Sequence, residues 1–198
     1  MSDTLDPRPD RDPFVAFERW LKDARGAGDE ADTVTLATST LDGVPSARMV
    51  SMRRWDRRGF VFFSSTRSRK GNELEQNPKA ALVFYWPSVS RQIRIDGSVE
   101  TIDDGESDEY FASRPPESQA AAVVAPQSER LESRDQLIAE HRAQLEQGGP
   151  VERPADWVGY RVVPKRIEFW QSSDARLHHR HICEGAPGGQ WSWHEAFP

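Results

Sequence analysis

Between Thr33 and Ile102 the chain reads TVTLATS (33–39), ARMVSMRRW (47–55), GFVFFSS (59–65), AALVFYW (80–86) and RQIRIDGSVETI (91–102). Each run is short, and each either alternates apolar with polar residues or is rich in β-branched and aromatic side chains, the pattern of strands half buried on one face. Asp42-Gly43 and Arg58-Gly59 supply turn chemistry between neighbours. The segment SRKGNELEQNP (68–78) interrupts the series as a short helix closed by Asn77-Pro78. The expectation over this region is one antiparallel meander.

Outward from that centre, Asp12 is placed to cap a helix with Pro13 at its first position. Phe14, Phe17, Trp20 and Leu21 form its apolar stripe, and Gly26 and Gly28 end it. Downstream, a helical stretch near Ser107–Ser113 precedes Arg114-Pro115, and a longer polar helix is expected from about Ser128 to Gly148-Gly149. GYRVVPKRIEFWQ (159–171), ARLHHRHICEG (175–185) and QWSWHEAF (190–197) then return to strand patterns. Strands outnumber helices, so the fold class is mainly β with flanking helices, closed into a small antiparallel barrel.

The 198 residues fit a single domain, expected over 13–198, behind an Asp-, Pro- and Arg-rich arm over 1–12 too poor in apolar residues to fold alone. No apolar stretch approaches bilayer length and the N-terminus lacks signal-peptide character, which predicts a cytoplasmic protein. The lone Cys183 has no partner for an internal disulfide and is expected to pack. A net charge of −6 argues against nucleic acid or anionic membrane as a partner, so local concentrations of arginine need a local explanation.

Three groups of residues supply one. Arg69 and Lys70 sit at the start of the 68–78 helix, where free N–H groups already carry positive partial charge; two cations there are unfavourable unless an anion docks among them. Arg48 and Arg53, which belong to the same 48–70 group, lie an odd number of residues apart and face opposite sides of a regular strand. Tyr110, Arg114 and Ser118 recur at spacing four and offer donors suited to an anionic oxygen cluster, with Pro115-Pro116 bending or ending the helix between them. In a regular strand Arg176, His178 and Arg180 would share one face, so that two guanidiniums flank an imidazole. A metal site is not expected: His178 and His179 point to opposite faces, and the arginines oppose a cation. Read from the residues, a phosphorylated, planar ligand binds a small barrel.

Taken in order, SRK (68–70), Arg91-Gln92, YFASRP with SQ (110–119), Gln127-Ser128, and IEFWQ followed by RLHHR resemble the pyridoxamine 5′-phosphate oxidase family of flavin enzymes from about Phe14 onward. The resemblance implies a Greek-key-like, FMN-binding split β-barrel, and a homodimer with FMN in clefts between subunits. It also implies oxidation of pyridoxamine or pyridoxine 5′-phosphate to pyridoxal 5′-phosphate, with oxygen reduced to hydrogen peroxide. Carried over by position, FMN would meet Arg48, Met49, Val50, Ser51, Met52, Arg53, Phe63, Ser64, Arg69, Lys70, Gln92, Gln127, Ser128, Trp170 and Arg180, several of them across the dimer. The substrate phosphate would meet Arg53, Tyr110, Arg114 and Ser118, with Arg176 and His178 as catalytic groups against the pyridine ring. Arg53 stands where the family usually has lysine, Phe63 where it often has tyrosine, and EAFP where RLxP is common. The alternatives are an FMN oxidase of another aromatic metabolite, such as a phenazine precursor, and a non-catalytic binder of flavin or pyridoxal phosphate.

Overall fold

The computed structural model describes residues 11–198; most of the expected N-terminal arm lies outside them. The expected first helix forms as α1 (Pro13–Gly26): Asp12 Oδ1 accepts from the Phe14 N–H at 2.9 Å, and Phe14, Phe17, Trp20 and Leu21 are buried. Nine strands follow in one sheet: β1 (Thr33–Ser39), β2 (Pro45–Ser51), β3 (Arg54–Asp56), β4 (Gly59–Ser65), β5 (Lys79–Trp86), β6 (Arg91–Thr101), β7 (Trp157–Gln171), β8 (His179–Glu184) and β9 (Ser192–Glu195). The remaining helices are α2 (Arg69–Gln76), α3 (Asp104–Ala112), α4 (Pro116–Val124) and α5 (Arg134–Gln147).

All pairings are antiparallel, and the principal order is β2-β1-β5-β6-β7-β4-β3. The single meander expected over 33–102 is therefore corrected, because α2 carries the chain from β4 back past β7 and β6 to β5. The run 47–55 is likewise two strands. Met52 N–H donates to Asp32 O at 2.9 Å, Arg53 N–H donates to Val61 O at 2.9 Å, and these two residues join the first strand of the order to the last. So short a link brings the sheet's ends together, and the sheet curls into a half-barrel.

The split in the barrel lies along β7. One edge pairs with β6 over Tyr160–Gln171, whereas the other pairs first with β4 (Trp157–Val162) and then with β8 (Arg166–Gln171). Pro164, lacking an N–H, falls between those two ladders. Opposite it the register slips by one residue at Asp96/Gly97, and a Cβ on Gly97 would lie 2.1 Å from the Val163 carbonyl oxygen. Only glycine fits that bulge. Inside the curl, Phe17 packs edge-on against Phe60, Phe84 and Trp55, and Trp20 against Phe169. Cys183 is fully buried in the same core, and burial pushes its thiol up to about 12.

Two further expectations are corrected by backbone geometry. The long helix starts at Arg134 because Ser128 is left-handed (φ 71°), and Ser133 supplies the cap. Arg176 is also left-handed (φ 57°), so Arg176 and His178 lie in the β7–β8 connection and the strand begins at His179.

Candidate functional site

The α2 N-terminus forms as its sequence requires: Ser68 Oγ accepts from the Gly71 N–H at 3.2 Å, placing Arg69 and Lys70 in the first turn. A Cβ on Gly71 would meet the Thr66 carbonyl oxygen at 2.3 Å, so glycine lets this turn press against the end of β4. Lys70 Nζ thereby reaches Ser64 Oγ (2.8 Å), Ser68 Oγ (3.2 Å) and Gln127 Oε1 (3.2 Å). All three are neutral acceptors, and no ion pair to Lys70 forms among the described residues. Burial, and then the charge of Arg48, push its pKa down. A cation so placed favours an anion beside it.

Lys70 lines one end of a cavity of about 490 Å³, within the usual range for small-ligand sites. The floor is Met49, Val50, Ser51 and Arg53; Ser64 and Gln127 complete the Lys70 end, and Phe63, Tyr110, Arg114 and Ser118 the other, Phe63 stacking on Tyr110 at 4.1 Å. Tyr110, Arg114 and Ser118 do not share one helix, since α3 ends at Ala112 and α4 begins at Pro116, but the two prolines turn all three into the cavity. Arg114 has a buried Nη1 with no hydrogen-bond partner. Burial pushes its pKa down, Tyr110 opposes that, and Arg53 adds to it.

Arg48 and Arg69 flank lining residues in sequence but do not line this cavity themselves. Both turn to Glu73, one turn further along α2: Arg69 Nε at 2.9 Å and Arg48 Nη2 at 3.4 Å. Thr38 Oγ1 and Ser46 Oγ also donate to Glu73 Oε2, each at 2.5 Å. Burial raises the Glu73 pKa, yet the hydrogen bonds from Ser46, Thr38 and Arg69 and the charge of Arg48 hold it at about 2. Ser128 Oγ accepts from the Arg69 N–H at 3.1 Å. Met52 is the exception among its neighbours, being 4% exposed and part of the core.

The remaining predicted residues gather elsewhere on the protomer. Gln92, Trp170 and Arg180 are direct cross-strand neighbours on β6, β7 and β8. His178 lies 4.8 Å from the Trp170 ring, and its Nδ1 accepts from the Ser173 N–H at 3.2 Å. Arg180 is held by buried Glu168 at 2.8 and 3.1 Å and donates to Phe197 O at 2.8 Å. None of these residues lines the Lys70 cavity.

Sequence reasoning missed three contributors. Glu73 was signalled by its i,i+4 spacing from Arg69, and Glu168 only by register. Trp157, the first residue of β7, stacks on Phe63 (5.0 Å) and lies under the Arg114 guanidinium (4.7 Å), a contact no local motif announces.

Residues 22–143 match the family profile described as pyridoxamine 5′-phosphate oxidase. The chain belongs to this family. Residues 157–198 match a second profile, the pyridoxine 5′-phosphate oxidase C-terminal dimerisation region. Curated relatives named pyridoxine/pyridoxamine 5′-phosphate oxidase include one from Trichormus variabilis, 46% identical over 96% of this chain and 90% of the relative. Another, from Thermosynechococcus vestitus, is 48% identical over 94% of this chain and 89% of the relative. Among solved structures, PhzG from Burkholderia lata in complex with tetrahydrophenazine-1-carboxylic acid superposes with a TM-score of 0.94 at 34% identity, covering 99% of this chain and 98% of that one. A pyridoxamine 5′-phosphate oxidase-related, FMN-binding protein from Nostoc punctiforme shares the fold at TM-score 0.77 and 16% identity, over 94% and 98% of the two chains. The split-barrel fold and membership of an oxidoreductase family thus stand for this pyridoxamine 5′-phosphate oxidase relative, as its sequence motifs imply. Among the described residues no helix is long and apolar enough to cross a membrane.

Proposed function

We propose that this protein is an FMN-dependent oxidase that converts pyridoxine or pyridoxamine 5′-phosphate to pyridoxal 5′-phosphate and reduces oxygen to hydrogen peroxide. The observation that carries this reading is one cavity with an uncompensated cation at each end. Lys70 has only neutral acceptors, and Arg114 has an orphaned buried nitrogen. Such ends suit two anions, a cofactor phosphate and a substrate phosphate, with planar rings between them.

The donor set fits FMN. Lys70 and Ser64 would take its phosphate with Arg48, Arg69 and Ser128 nearby, and the strand Met49–Arg53 with Phe63 and Gln127 would border the rest of the cofactor. FMN, when bound, supplies the hydride acceptor and returns the electrons to oxygen. The chain's own residues then bind and orient. Arg53, Tyr110, Arg114 and Ser118 hold the substrate phosphate, so that the carbon bearing the alcohol or amine is fixed against the cofactor. Loss of hydride from that carbon and a proton from its heteroatom gives the aldehyde from the alcohol; the amine additionally takes up water and releases ammonia.

Gln92, Trp170, Arg176, His178 and Arg180 lie outside the cavity of their own protomer and belong largely to the segment matching the dimerisation region. A homodimer in which a partner copy presents this row to the cavity accounts for both placements. Arg176 then faces the reacting carbon, favouring charge that develops during proton and hydride removal. His178, accepting at Nδ1 from a backbone N–H, carries its proton on Nε2 when neutral and offers that N–H to the substrate ring.

The likeness to PhzG favours a second reading, oxidation of a phosphate-free tricycle. The Arg53/Arg114 guanidiniums can pair with a substrate phosphate or with the carboxylate of such a tricycle, so charge at that end does not separate the two readings. Turnover separates the two: purified protein supplied with FMN and pyridoxine 5′-phosphate should form pyridoxal 5′-phosphate and peroxide in equal amounts. Absence of both products overturns the proposal.

A further inference from the structure

Trp157 is buried, 6% exposed, at the junction of the cavity with the β7 ladder. Four side chains converge on its ring: Phe63 at 5.0 Å and Tyr110 at 6.2 Å, both nearly parallel to it, Phe111 edge-on at 5.2 Å, and the Arg114 guanidinium at 4.7 Å. Arg114 also lies 5.5 Å from the Phe111 ring. No carboxylate pairs with Arg114 among the described residues, and its buried Nη1 has no hydrogen-bond partner. The aromatic faces are therefore what holds this guanidinium. Their negative quadrupoles attract a cation and are worth most where it is desolvated. They also occupy none of its N–H donors, unlike a carboxylate, which would take the fork a phosphate needs.

We propose that Trp157 is a positioning residue that presents Arg114 to the substrate phosphate, an inference that rests on the reading of this cavity end as a phosphate site. The indole face fixes the plane of the guanidinium while leaving its donors open. An anion arriving from solution completes a set already in place, with little side-chain entropy left to lose. Phe63 and Tyr110, stacked on each other at 4.1 Å and nearly parallel to the indole, pack against it.

The test uses FMN-loaded protein and a ligand that cannot turn over. 4-Deoxypyridoxine 5′-phosphate has no oxidisable group on its 4′ carbon, and its unphosphorylated form is the reference. Wild type should bind the phosphorylated ligand more tightly by calorimetry. Trp157→Leu should weaken that binding about tenfold while changing affinity for the unphosphorylated ligand less than about twofold. Trp157→Phe, which keeps a ring face, should retain most of the preference. In an Arg114→Ala background Trp157→Leu should add less than about twofold, because the two act as one unit.

Equal weakening of both ligands by Trp157→Leu, or its full effect persisting without Arg114, overturns the proposal and leaves the phosphate reading intact. A wild type that does not prefer the phosphorylated ligand overturns both. If Trp157→Leu does not fold, Trp157→Phe decides: Arg114→Ala should lose the phosphate preference and Trp157→Phe should keep most of it, whereas equal weakening of both ligands by Trp157→Phe, or the same effect of Trp157→Phe on the phosphorylated ligand with and without Arg114, overturns the proposal.

Discussion

Replacing Glu73 with glutamine tests the arrangement beside the cavity. Arg48 and Arg69 both turn to this carboxylate, whose side chain is 5% exposed. Burial raises its pKa, but hydrogen bonds from Ser46, Thr38 and Arg69 and the charge of Arg48 bring it from 4.5 to about 2. At about 1.4 kcal/mol per unit, a displacement of that size corresponds to a ceiling of about 3 kcal/mol of folding free energy. Since the folded pKa lies below the unfolded one, the contribution is complete above about 4.5 and is lost as pH falls towards about 2. Glutamine keeps the shape but turns an NH2 group towards donors. Urea unfolding should find Glu73→Gln about 2–3 kcal/mol less stable than wild type at neutral pH. That gap should narrow steadily below pH about 4.5. A gap that does not change with pH, or is missing at neutrality, would refute the reasoning.

Three further substitutions probe other parts of the account. Lys70→Met removes a half-buried cation that has no carboxylate partner among the described residues, so stability without cofactor should hold or rise, while FMN affinity measured by fluorescence quenching should fall about 10–100-fold. Arg176→Gly relieves a left-handed backbone (φ 57°); thermal melting should show unchanged or slightly higher stability, with turnover reduced about 100-fold or more. Gly97→Ala forces a methyl group towards the Val163 carbonyl oxygen at 2.1 Å, and chemical denaturation should register a loss of at least about 2 kcal/mol.

The strands, α1 and the capped α2 were legible because their signals are local: alternation, Asp12-Pro13, and Ser68 before a helical run. The sheet order was not. The crossing at Met52-Arg53 depends on the carbonyls of Asp32 and Val61, neither of which a reading of 47–55 contains. The left-handed turns at Ser128 and Arg176 escaped for a related reason, since nothing in a serine or arginine announces positive φ. Lys70, Tyr110, Arg114 and Ser118 were named from their position and spacing and Ser64 and Gln127 from the family resemblance, and all six line one cavity. Trp157 and Glu73 act through packing and buried charge, which appear only once β4, β7 and α2 are brought together.

If one cavity brings FMN and a B6 phosphate together for hydride transfer, the absorption spectrum of the FMN-loaded protein will report it. On anaerobic addition of pyridoxine 5′-phosphate the yellow flavin band should bleach, and admitting oxygen should restore it with release of peroxide. A spectrum that stays yellow under excess substrate, in protein shown to hold FMN, would contradict the account.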